Sequence, residues 1–134
     1  VSKLRCDCGH IIVDQTDNLP YKGMLIRDQD MEPYFDGITT SINAFIEAIK
    51  ANKREEWIAS FFGKDYPAQL DNVSILWDIR LRYSKYETTV FQCEACGRVL
   101  LEIPYNKYYS FKPYDKPWVK VLQGISKQEN KTEE

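Results

Sequence analysis

The sequence predicts an α+β protein: a small β-sheet carrying two cysteine knuckles, with two helices inserted between them. Three observations predict it. The four cysteines fall into two close pairs, Cys6/Cys8 and Cys93/Cys96, and each pair is followed at once by a glycine. Short strand-like runs flank both pairs. Between the pairs lies a long stretch whose apolar residues recur at helical steps.

The strands come first. Leu4 to Cys6 and His10 to Val13 read as two short strands around the first pair. The stretch from Asp14 to Pro20 is a loop by composition, and Met24, Leu25 and Ile26 mark a further short strand. Asp30 then reads as the N-cap of the clearest helix, with Glu32 and Pro33 in its first turn. Met31, Tyr34, Phe35, Ile38, Ile42, Phe45, Ile46 and Ile49 follow at steps of three and four, which makes one apolar helix face. Asn52 ends it. Arg54 to Phe62 reads as a second helix, with Gly63 as its stop.

From Val73 the pattern supports two readings. Val73, Ile75, Trp77, Ile79, Leu81 and Tyr83 alternate at strand period, and the length of that alternation favours a strand. Ile75, Leu76, Ile79 and Tyr83 could equally line a helix. A turn at residues 84–87 would lead into a strand over Thr88–Gln92, then the second knuckle, then a strand over Val99–Ile103. Tyr108 to Lys112 is a last short strand, and Trp118 to Leu122 an apolar turn docked on the body. Residues 1–123 thus read as one domain, and 124–134 as a disordered polar tail.

A thiolate pair closed by glycine is the shape of a metal knuckle, because the chain turns tightly around the ion and glycine accepts φ > 0. Cys6, Cys8, Cys93 and Cys96 would then hold one structural Zn2+. Four thiolates could also hold iron, and His10, two residues after Cys8, is an alternative ligand. The C-x-C spacing is tighter than the usual C-x₂₋₄-C. A disulfide framework needs an oxidising compartment, and Val1 to Cys6 has no apolar leader character, so a cytoplasmic protein is expected.

The chain has 134 residues, 43% hydrophobic and 28% charged, which suits a globular domain without a membrane span. Its net charge of −2 disfavours non-specific nucleic-acid binding. Charge is uneven. Residues 14–36 carry Asp14, Asp17, Asp28, Asp30, Glu32 and Asp36 against Lys22 and Arg27. Residues 98–120 carry Arg98, Lys107, Lys112, Lys116 and Lys120 against Glu102 and Asp115, interleaved with Tyr105, Tyr108, Tyr109, Phe111 and Tyr114. One histidine, no nucleophile elbow and no phosphate loop argue against an enzyme. The acidic segment suits a basic protein partner, and the basic aromatic segment suits single-stranded nucleic acid less well.

The two cysteine knuckles, Cys6 to Gly9 and Cys93 to Arg98, resemble a rubredoxin-like zinc ribbon split by a helical insertion. With the text around them, including Phe111 to Pro113, they look like small bacterial zinc-ribbon proteins of the toxin-immunity type. That resemblance implies a protein that neutralises a cognate toxin by direct binding. The alternative is a ribbon that binds nucleic acid, as a transcription or translation adaptor.

Overall fold

The computed structural model describes residues 2–103 and 106–127. The fold is α+β, and the chain divides into two compact units. One is built from both ends of the chain, up to Leu25 and from Thr88 onward; the other is Ile26–Glu87. Pro104, Tyr105 and residues 128–134 of the expected tail lie outside the described residues, while residues 125–127 are helical.

The first unit holds the strands. β1 (Lys3–Arg5) and β2 (Ile11–Val13) form an antiparallel hairpin, with Leu4 opposite Ile12. β3 (Lys22–Ile26), β4 (Glu87–Gln92), β5 (Val99–Ile103) and β6 (Lys107–Phe111) form a four-stranded sheet in that order. Phe91 faces Leu100 across β4 and β5, and Leu100 faces Ser110 across β5 and β6. Ile12, Phe91 and Leu100 are buried together with Cys6 and Cys93, so the cysteine sulfurs are part of this unit's core.

The second unit is helical: α1 (Asp28–Lys50), α2 (Arg54–Phe62) and α3 (Asn72–Leu81), closed by a 3₁₀ turn at Ser84–Tyr86. α1 starts two residues before the expected cap. Arg27 is the extended N-cap residue, and the Asp30 amide already donates to the Arg27 carbonyl at 2.9 Å. Asp28 and Asp30 lie in the first turn, where acidic charge suits the helix dipole. Pro33 therefore sits in the second turn, and helix packing must offset the backbone bond it removes. α1 ends as read, with Asn52 in the left-handed region at φ 57°. α2 has the expected bounds, and Gly63 stops it at φ 107°.

The strand favoured over 73–83 is a helix. Two facts decide against the alternation. Asp71 caps the helix, its carboxylate accepting from the Ser74 amide at 2.8 Å. Ile75 and Ile79, one turn apart, are fully buried with Phe45 and Ile58. A strand would have placed Val73 and Trp77 on the same face as Ile75 and Ile79; instead they are 63% and 66% exposed. The insertion accordingly has three α-helices where two were expected.

Two polar anchors tie the helices. Arg54 on α2 donates to Asn72 Oδ1 at 3.0 Å, to the Ala68 carbonyl at 2.5 Å and to the Leu70 carbonyl, which pins the loop before α3. Tyr83 lies against α1: its hydroxyl meets Ser41 Oγ at 2.7 Å, and a Cβ at Gly37 would stand 2.3 Å from its ring. The glycine that lowers helix propensity is what admits that ring.

Candidate metal centre

Each knuckle is the tip of a hairpin, and backbone bonds shape both tips in the same way. In the first, the Cys6 amide donates to the His10 carbonyl and the Gly9 amide to the Cys6 carbonyl, both at 2.9 Å. In the second, the Cys93 amide donates to the Arg98 carbonyl and the Gly97 amide to the Cys93 carbonyl, both at 2.8 Å. The first pair of bonds spans one residue fewer than the second. The C-x-C knuckle is thus the C-x-x-C knuckle shortened by one residue, with the closing glycine in the left-handed region in each: φ 99° at Gly9 and 81° at Gly97.

The two tips bring the four sulfurs together. All four Sγ atoms lie within 4.8 Å of one another, and among the described residues they form the cluster of His, Cys, Asp and Glu side chains able to hold a metal ion. Cys6 Sγ is 3.6 Å from Cys96 Sγ, and Cys8 Sγ is 3.6 Å from Cys93 Sγ. A tetrahedral ion with sulfur at about 2.3 Å needs sulfurs about 3.8 Å apart, so the donor set fits. No disulfide joins the cysteines. His10 is exposed and is not part of the cluster.

Burial and hydrogen bonding pull the thiols in opposite directions. Burial pushes the Cys6 thiol up to about 12 and raises Cys93 as well. At Cys96 burial pushes the same way, but the Arg98 backbone amide and then its guanidinium outweigh it and bring the thiol down to about 6. Arg98 Nη1 stands 3.2 Å from Cys96 Sγ. Backbone amides also point at the sulfurs: Cys8 toward Cys6, and Ala95 and Cys96 toward Cys93. Such amides stabilise negative sulfur, the form that binds metal.

The layer behind the second knuckle was not legible as part of the site. Gln92 is buried; its amide donates to the Gly97 carbonyl at 3.3 Å and the Val119 carbonyl at 2.8 Å, and its oxygen accepts from the Val121 amide at 3.0 Å. Trp118 packs on Gly97 so closely that a Cβ there would meet its ring at 2.4 Å. The one sequence signal was the isolated apolar run from Trp118 to Leu122, expected to dock on the body. It docks on the knuckle.

The six acidic candidates are not one cluster. Asp14 and Asp17 belong to the first unit, and Asp14 is paired with Lys22 at 2.9 Å. Asp28, Asp30, Glu32 and Asp36 are on α1; Asp28, Glu32 and Asp36 are exposed and spaced one turn apart, and Asp30 is half-buried. Of the basic aromatic segment, Tyr109, Phe111 and Tyr114 are exposed, Tyr108 packs on the first core, Tyr105 lies outside the described residues, and Arg98 serves the sulfurs.

These features define a class: an α+β protein with a four-cysteine cluster suited to a metal ion, and no helix of the described residues long and apolar enough to cross a membrane. The chain belongs to the family described as Domain of unknown function (DUF8617), which it matches over residues 2–117. No curated protein and no solved structure matches it.

Proposed function

We propose that this protein is a zinc-stabilised protein-binding module and, within that class, a bacterial cytoplasmic immunity protein that neutralises a cognate toxin by direct binding. Cys6, Cys8, Cys93 and Cys96 would hold the one zinc. Bound there, zinc supplies structure and no chemistry, because four thiolates fill its tetrahedron and leave no position for water or substrate. No enzymatic role is assigned. The observation that carries the binding role is the acidic stripe of Asp28, Glu32 and Asp36 on the exposed side of α1. A stripe of one sign speeds encounter with a basic partner. The narrowing to immunity rests on the likeness of the knuckles to small bacterial proteins of that type. The test is co-expression with the product of the neighbouring gene: the two should co-purify, and this chain should relieve any growth inhibition the neighbour causes. Absence of both effects would reject the reading.

A second reading has one feature in its favour. A cavity of about 500 Å³ in the first unit is lined by Lys3, Arg5, Asn106, Tyr108 and Tyr109, with Asp7 beside them. Bases with tyrosines are the materials of a single-strand groove. A gel-shift titration with single-stranded DNA and RNA decides it, and no shift at physiological salt is expected.

A further inference from the structure

The helical unit has two apolar surfaces, and its own core fills only one. On α3, Ile75 and Ile79 point into that core, while Val73 and Trp77 stand on the other side, about two-thirds exposed. Facing them across a cleft is α1, with Phe35 50% exposed and Ile38 beneath it. The cleft has a volume of about 360 Å³, with Tyr34, Leu76 and Arg80 along its floor. Arg80 is engaged there: its Nη1 is 2.6 Å from Glu87 Oε1, which also accepts from the Tyr34 hydroxyl at 2.9 Å. The cleft therefore offers aromatic and aliphatic surface. Contiguous exposed surface of this kind, centred on Trp and Phe, marks an interaction site.

One border of the cleft carries charge of a single sign. Phe35 is seven residues from Asp28 and three from Glu32, so both acids project beside it along the outer flank of α1, while Asp36, the next residue, is turned about 100° away from it. α1 has no lysine or arginine before Lys50.

We propose that this cleft is the docking site for the protein partner, and that its occupant is an amphipathic α-helix with a basic flank. Apolar residues at i, i+3/i+4 and i+7 seat between Phe35 and Trp77, and lysines or arginines one turn apart meet Asp28 and Glu32. The helical form follows from the walls. Helices bound the cleft, so it offers no strand edge for β-addition, and acids at one-turn spacing match bases at the same spacing. The proposal rests on the protein-binding reading above and gives it a contact surface.

The test is a titration of the metal-loaded full chain, followed residue by residue by amide NMR. Three synthetic peptides serve: a Leu/Trp/Lys amphipathic helix, its Glu-for-Lys analogue, and a scramble of the first. Only the first should perturb Phe35, Ile38, Leu76 and Trp77. Trp77→Ser and Phe35→Ser, both at exposed positions and checked for retained helix by circular dichroism, should each weaken it by about tenfold or more. The double change Asp28→Lys, Glu32→Lys should transfer the preference to the Glu peptide. Equal binding of the scramble, perturbations confined to the strands, or indifference to Trp77→Ser would overturn the proposal. A self-association in sedimentation that Trp77→Ser abolishes would overturn it too, by making a second copy the occupant. Capture of the neighbouring gene's product undiminished by Trp77→Ser rejects the cleft and leaves the immunity reading standing. Peptide binding without that capture supports the cleft and rejects immunity.

Discussion

Gly97 carries two constraints at once, and Gly9 only one. Both sit at positive φ, where an L side chain costs about 1–2 kcal/mol. At Gly97 a methyl group would also collide with Trp118, whereas nothing lies within 4 Å of the Cβ position at Gly9. Gly97→Ala should therefore lower stability by about 2–4 kcal/mol and Gly9→Ala by about 1–2 kcal/mol, read from denaturant midpoints. Adding Trp118→Ala to Gly97→Ala should recover part of the loss if the ring is its cause. Cys96→Ser removes one of the four candidate ligands. Native mass spectrometry should find one zinc per wild-type chain and none in the mutant, with loss of cooperative unfolding in the strand unit, since a structural zinc contributes on the order of 10 kcal/mol. The cysteines and their glycines were readable in the sequence because ligand type and turn conformation are properties of single residues. Arg98 and Gln92 were not readable as parts of the site. Their roles depend on which sulfur and which carbonyls the fold brings beside them.

At the scale of elements, α2 was legible because one apolar face, a stop glycine and length all agreed. α3 misled because six of its ten residues are apolar: Val73, Ile75, Leu76, Trp77, Ile79 and Leu81. A set that large satisfies period 2 and period 3.6 together, and the surplus is itself the signal of a second, unfilled face. The cap at Asp71 was the arbiter. Asp71→Ala should shorten α3 and lower the melting temperature by about 5 °C. Gly37→Ala tests the other element contact. Alanine is the better helix former, yet it should destabilise, because the Tyr83 ring occupies its place. Tyr66 gives a pH signature to this helical region. Burial, and then its hydrogen bond to Asp78, push its hydroxyl from 10 up to about 12. A folded pKa above the unfolded one favours the protonated form, so that stability is complete below pH 10 and lost as pH rises from 10 to about 12. Tyr66→Phe should flatten this alkaline slope in chemical-denaturation curves taken across that window.

For the whole molecule, the α+β class and the junction of the two chain ends at one cluster of sulfurs were foreseeable, because cysteines are scarce and metal chemistry restricts how they combine. The division into two units was harder to see. Apolar residues in a sequence do not say which core they serve, and here Phe91 and Phe45 serve different ones. The cysteines all belong to the first core. Chelation should therefore abolish the near-ultraviolet signature of Trp118 beside the second knuckle, while far-ultraviolet helix signal from residues 26–87 largely persists. Simultaneous loss of both would show that the helices depend on the metal.

A metal ion held by the sulfurs at positions 6, 8, 93 and 96 would also impose an order on biosynthesis. As the nascent chain leaves the ribosome, every residue of the helical insertion is available before Cys93 and Cys96 emerge. The first hairpin would then wait, half-ligated, through the synthesis of more than eighty residues. A cell short of zinc would then hold a chain native in its middle and open at both ends, with the Cys6 and Cys93 sulfurs exposed to oxidants and proteases. Supply of the ion, as much as synthesis of the chain, would set how much working protein the cell contains.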